Sequence, residues 1–145
     1  MYLRHTIHFL MNNLFRSVFF PLSACLLLFS SSCSTEPGTG GTASISGKVF
    51  GYQVNMFGTK LDSGYVADQR VYLAYGDHEF ADEDTRTSFN GSFRFDKLKK
   101  GSYTIWVVSQ CFSCPMDQYI DKKTITVRGT REDADAGTLL FFDLK

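Results

Sequence analysis

The chain holds little of what catalysis and nucleic-acid binding require. Histidine occurs three times in 145 residues, and His5 and His8 lie in the first ten positions, which leaves His78 as the one imidazole farther along. No serine stands in a nucleophile-elbow context, and no glycine-rich phosphate motif is present. These absences argue against an enzyme and imply no cofactor. An excess of charge is missing too: 15 Lys and Arg face 15 Asp and Glu. A nucleic-acid partner requires a basic stripe, and none exists. Helical periodicity is also absent, since no long segment repeats its apolar residues at three- and four-residue spacing.

Cysteine is sparse but informative. The four are Cys25, Cys33, Cys111 and Cys114. Arg4, His5, His8 and Arg16 make a positive leading region, and residues 17–29 are mostly apolar. That run is shorter than the ~20 residues a membrane span needs, and Pro21 interrupts it, so it reads as a cleaved signal. Its end, Ser30-Ser31-Ser32-Cys33, resembles the lipobox of bacterial lipoprotein precursors, in which the cysteine carries acyl chains after cleavage. Leu22-Ser23-Ala24-Cys25 is a second candidate with the better residue pattern, but cleavage there leaves an apolar stretch, residues 26–29, at the new N-terminus. Cleavage at Cys33 leaves a polar tether of Ser, Thr and Gly. An uncleaved anchor and simple secretion are the other readings. Met11 opens a typical short signal of its own, so the start is Met1 or Met11. The expected organisation is a signal peptide over 1–32, a flexible tether over 33–42 and one folded domain over 43–145, enough chain for a single core. Without residues 1–32, thirteen cations face fifteen anions.

Past residue 42 the pattern is period-two alternation broken by turn residues. Strands are expected over 45–50, 70–75, 85–89, 92–95, 102–108, 120–127 and 138–144, with a long polar connection over 51–69 and an acidic loop over 76–84. Asn90-Gly91, between the third and fourth, is a strong hairpin signal because both residues tolerate the positive φ of a tight turn. Residues 97–101 make a second turn. The expected fold class is all-β: a seven-stranded antiparallel sandwich following an N-terminal signal segment.

The stretch Thr87-Ser88-Phe89-Asn90-Gly91-Ser92-Phe93-Arg94-Phe95, continued by Gly101-Ser102-Tyr103-Thr104-Ile105, resembles the carboxypeptidase regulatory-like domain. This is a prealbumin-like (transthyretin-like), Ig-like sandwich related to the B-type repeats of Gram-positive adhesins. Ile45-Ser46-Gly47-Lys48-Val49 is similar to the family's first strand and Arg70-Val71-Tyr72-Leu73 to its second. The chain departs from the family in its long first connection, which carries Tyr52, Met56, Phe57 and Tyr65, and in its added Cys111-Phe112-Ser113-Cys114 loop. With the Ser-rich lipobox, the resemblance is to a Bacteroidetes-type lipoprotein. Such domains usually accompany a protease or a TonB-dependent transporter and have no catalytic residues to carry over.

Three constellations are candidates for sites. Cys111 and Cys114 are a redox pair, half a zinc site, or a disulfide that staples a loop. No helix N-terminus is readable to lower a thiol pKa, and His78 is the only further nitrogen ligand, so the staple is the favoured reading. So short a loop implies about 1–2 kcal/mol of stabilisation. Asp77, Glu79, Asp82 and Asp84 are candidate Ca²⁺ ligands, set against a solvated acidic loop without the spacing of an EF-hand. Trp106 lies on the face opposite Tyr103, Ile105 and Val107; its apolar neighbours favour burial, and the other reading is an exposed platform for sugars or a partner. Tyr52, Phe57 and Tyr65 form a binding patch or cap one end of the sandwich.

The expectation is a non-enzymatic outer-membrane lipoprotein of the cell envelope, held in the membrane by lipid on Cys33. It docks an outer-membrane protein as an accessory module. The alternative is glycan or peptide binding through Trp106, Tyr52, Tyr65 or Tyr119. A third reading is a metal- or redox-linked role at Cys111, Cys114 and His78.

Overall fold

The computed structural model describes residues 36–111 and 115–145. The expected signal segment, Cys25, the expected lipidation position Cys33 and Cys114 lie outside the described residues.

Among the described residues, eight strands form two four-stranded sheets. In order they are β1 (Thr39–Val54), β2 (Lys60–Tyr65), β3 (Arg70–Tyr75), β4 (Glu83–Arg86), β5 (Ser92–Leu98), β6 (Gly101–Gln110), β7 (Gln118–Val127) and β8 (Asp133–Leu144). Sheet A is organised by the 16-residue β1. One edge of β1 pairs with β5 over its first part and with β2 over its last, while the other edge pairs with β8. Sheet B has the order β4-β3-β6-β7.

The all-β expectation holds, and two details of it are corrected. The strand count is eight rather than seven, because β2 lies inside what reads as a polar connection. Its sequence Lys60-Leu61-Asp62-Ser63-Gly64-Tyr65 has no apolar alternation, and all six residues are exposed. Nor is the pairing wholly antiparallel: β8 runs parallel to β1 from Ser44↔Asp133 to Val54↔Leu144. The first strand also begins at Thr39, inside the segment read as a tether, and Gly38 is already fixed by backbone contact with Lys99.

The Asn90-Gly91 turn forms, with Ser88 and Ser92 bonded across it. It does not make a hairpin, since β4 belongs to sheet B and β5 to sheet A. The turn moves the chain from one sheet to the other. Gly91 has φ +76°, and a Cβ there would sit 2.7 Å from the Val49 carbonyl oxygen. Gly137 has φ +66° at a bulge where the β1–β8 register shifts. The bulge changes the phase of β8, so Ala134, Ala136 and then Leu139 all face inward.

The inward faces meet in one core. Ile45, Val49, Phe93, Phe95 and Leu139 come from sheet A, and Val71, Leu73, Tyr103, Ile105, Val107 and Val127 from sheet B. Burying each such side chain stabilises by about 1.5–3 kcal/mol. The outer edge of β8 does not face solvent bare. Lys123 Nζ donates to the carbonyls of Ala136 and Thr138, Asp121 accepts from the Leu140 N–H, and Ser109 Oγ accepts from the Phe142 N–H. Side chains of sheet B thus satisfy an edge that would otherwise invite another strand.

Candidate functional site

The two sheets present outer faces of different character. Along β1 the outward side chains are Ser46, Lys48, Phe50 and Tyr52. Their neighbours are Arg94, Ser92 and Tyr65 on one edge and Asp135, Thr138, Leu140 and Phe142 on the other. The face is therefore polar over its first half and apolar over its second.

In the polar half, a concavity of about 740 Å³ is lined by Lys48, Arg86, Arg94 and Asp135 among others. Its guanidinium groups are already engaged. Arg94 bonds Asp133 at 2.9 Å, Asp96 at 2.7 Å and Ser44 Oγ at 2.6 Å, and Arg86 bonds Asp68 at 2.9 Å. The Asp133 hydrogen bond, then that of Asp96, raises the Arg94 pKa, and the Arg94 bond, then that of Ser44, lowers the Asp133 pKa. Lys48 lies 4.7 Å above the Tyr65 ring. This half is an internally neutralised network.

The apolar half is a chain of rings. Tyr65 meets Phe50 edge-on at 5.4 Å, Phe50 meets Tyr52 at 5.4 Å, Tyr52 stacks on Phe142 at 5.8 Å, and Tyr119 of β7 meets Phe142 edge-on at 5.2 Å. Lys60 Nζ lies 3.8 Å over Tyr52. The strip continues into a cleft of about 360 Å³ lined by Val54, Met56, Tyr119, Phe142 and Leu144. At the neighbouring 55–59 turn Phe57 is 85% exposed, and Tyr65 is 53% exposed.

Sheet B carries a different arrangement. Trp106 is half-buried and stacks on Tyr72 with centroids 5.6 Å apart and 20° between planes. No strand covers that face among the described residues, so the favoured burial of Trp106 is corrected: Val108 lies on the same half-exposed outer face. Tyr52 and Tyr65 therefore share one surface with Tyr119, while Trp106 belongs to the opposite sheet. The aromatic candidates do not make one site.

The acidic candidates are not gathered either. Among the described residues no group of three or more His, Cys, Asp or Glu is placed to hold a metal ion. Asp82 accepts from the Tyr75 N–H at 2.7 Å and pairs with His78 Nδ1 at 2.9 Å. Desolvation pushes the Asp82 carboxyl up, but these two partners outweigh it and its pKa falls. Asp84 pairs with Arg70 at 3.5 Å across two strands, away from Asp77 and Glu79. Burial, then a hydrogen bond to Glu83, raises the Tyr75 hydroxyl pKa. The His78 ring nitrogen pairs with Asp82, and its ring lies 6.4 Å from that of Tyr75. Cys111 opens the loop between β6 and β7, with its N–H on the Asp117 carbonyl at 2.9 Å.

Phe50, Phe142 and Tyr72 belong to these surfaces and were missed by sequence reasoning. The alternation of Phe50 with Tyr52 was the available signal for the first. Nothing local announces that Tyr72 lies beside Trp106, because that requires the register between β3 and β6.

No family model and no curated protein matches the chain. Among solved structures, a Pseudomonas aeruginosa protein described as a "putative carbohydrate binding protein" is similar to this chain at 14% identity, over 73% of this chain and 92% of its own, with a TM-score of 0.45. A likeness of that size carries no argument. No helix among the described residues is long and apolar enough to cross a membrane.

Proposed function

We propose that this chain is a non-enzymatic, lipid-anchored module of the cell envelope, a carboxypeptidase regulatory-like sandwich that docks an outer-membrane protein. One observation carries the reading: the exposed apolar strip that runs from Tyr65 across Tyr52 and Phe142 to Met56 and Phe57. An apolar surface that continuous, rimmed by Lys48 and Lys60, has the make-up of a protein interface.

The direction of the chain supports the same reading. Gly38 is fixed to Lys99 and Tyr103 at the end of the sandwich where β1 starts. Acyl chains on Cys33 would hold that end within about 18 Å of the lipid, the reach of five extended residues. β1 then runs roughly 50 Å to the apolar end, which would leave the strip facing away from the membrane. Cys111 and Cys114 are read as a disulfide that staples the loop at this far end.

The test is a photo-reactive residue placed at Phe57, at Leu61 and, as a control, at Phe80, which is equally exposed on the acidic loop. One membrane protein crosslinked from the first two positions, and lost in Cys33→Ala, is the expected result. Equal capture from Phe80, or none from Phe57 and Leu61, would overturn the reading.

A second reading, saccharide or peptide recognition, is favoured by the Tyr72–Trp106 stack on the other sheet.

A further inference from the structure

We infer that the cleft at the far end of the apolar strip is the anchor point of the docking surface, and that its occupant is an aromatic side chain carried beside a carboxylate on the partner protein. This rests on the docking reading above and deepens it by naming the chemistry of the partner segment.

The cleft is built from both sheets. Val54 of β1 and Phe142 and Leu144 of β8 come from sheet A, Tyr119 of β7 comes from sheet B, and Met56 stands on the 55–59 turn. Val54 is buried, Phe142 and Leu144 are half-buried, and Met56 and Tyr119 are exposed at the lip. At about 360 Å³ the cleft lies within the ~300–1,000 Å³ range of ligand pockets. Its lip is fixed in advance. The Asn55 side-chain oxygen accepts the N–H groups of Phe57 and Thr59 at 3.0 and 2.9 Å. The Asn55 N–H donates to the Thr59 carbonyl, and the Asn55 carbonyl accepts the Gly58 N–H. A turn held in this way loses little freedom when a ligand enters.

The lining selects its occupant. The rings of Tyr119 and Phe142 meet edge-on at 5.2 Å, and a third ring extends that cluster. Met56 adds a polarisable sulfur, which favours an aromatic neighbour and adapts to its shape. Lys60 lines the same cleft and forms no salt bridge among the described residues. Its ammonium rests on the Tyr52 ring at 3.8 Å and keeps donors for an anion. Asp143, at the end of β8, is paired with Lys145 instead. A ring with a carboxylate in reach of Lys60 therefore fits the cleft. Lys48, over Tyr65 farther along the strip, offers a second cation to the same acidic segment. A basic segment would meet both lysines with like charge.

The full-length protein, isotope-labelled at its methionine methyls, is titrated with hydrocinnamate and with hydrocinnamyl alcohol, which mimic the anchor with and without its charge. The Met56 methyl, one of four in the chain, should shift saturably with both in the magnetic resonance spectrum. The anion should bind about fivefold tighter, the scale of one exposed charge-assisted contact. Lys60→Met should bring the two affinities together, and Lys60→Arg should keep them apart. Tyr119→Ala should weaken both probes and, in cells, lower capture of the membrane partner from a photo-reactive residue at Leu61. No saturable Met56 shift, equal affinity for the two probes, or a preference that survives Lys60→Met would overturn the inference. Capture left unchanged by Tyr119→Ala would overturn it as well, by making the cleft a site for a free aromatic acid. Each of these failures leaves the docking reading standing, since capture from Phe57 and Leu61 in the parent chain tests that reading by itself.

Discussion

Tyr103→Phe tests whether the incoming chain is part of the fold. Tyr103 is fully buried on β6, and its hydroxyl accepts the Gly38 N–H at 3.0 Å and donates to the Lys99 carbonyl at 2.8 Å. Burial above all raises its pKa, so the group stays neutral and able to donate. Phenylalanine fills the same space, so no large cavity opens, but the buried Gly38 N–H loses its partner. An orphaned buried donor costs about 1–3 kcal/mol, whereas the partly buried Lys99 carbonyl can recover water. A total near 2 kcal/mol corresponds to a fall of roughly 8–15 °C in Tm for a domain of this size. Thermal unfolding followed by circular dichroism measures it, and hydrogen exchange should show faster loss at the Gly38 amide. A Tm within about 2 °C of the parent protein, with Gly38 still protected, would refute the account of this joint.

Three further outcomes follow from the same structure. Lys123→Met removes the cap from two β8 carbonyls; stability should fall by about 1 kcal/mol, and light scattering should show association that grows with concentration, whereas a stable monomer would mean the edge is protected some other way. Gly91→Ala forces a side chain into φ +76° and against the Val49 carbonyl, so the urea midpoint should drop by the equivalent of about 1–3 kcal/mol; an unchanged midpoint would contradict the close approach. Stability should be flat near neutrality and fall at both extremes. Arg94, first, lowers the folded pKa of Asp133, and the Gly129 N–H, first, lowers that of Glu132, so their contribution is present above the usual carboxylate value near 4 and is lost as pH falls through the folded values. Burial, first, raises that of Tyr75, whose contribution is present below about pH 10 and is lost as pH rises beyond it. Asp133→Asn should flatten the acid limb, and an identical limb in that variant would remove Asp133 from the explanation.

Much of the architecture is legible in the sequence because sheet interiors impose a two-residue period. Val71 and Leu73, Phe93 and Phe95, and Tyr103, Ile105 and Val107 each announce a strand with one buried face. What is not legible has physical reasons. Alternation signals burial, and β2 buries nothing. Asn90-Gly91 specifies a tight turn but not which strands will pair beyond it. Gly137 breaks the phase of β8, so its first residues read as loop. Tyr52 and Tyr65 were recognised as surface candidates, but the separation of Trp106 from them depends on sheet assignment, and its pairing with Tyr72 depends on the register between β3 and β6. Long-range pairing carries that information, and no local window contains it.

The parallel pairing of β1 with β8 has a mechanical consequence. The two strands run side by side, so the start of β1 and the end of β8 lie at opposite ends of the sandwich. Tension applied between residues 38 and 144 acts along the strands, and the bonds joining β1 to β8 resist sliding together instead of opening one after another. Rupture must then break the whole ladder in a single event. The domain is stiffest along the line that joins residues 38 and 144, and tension applied across the strands would peel it open at far lower force.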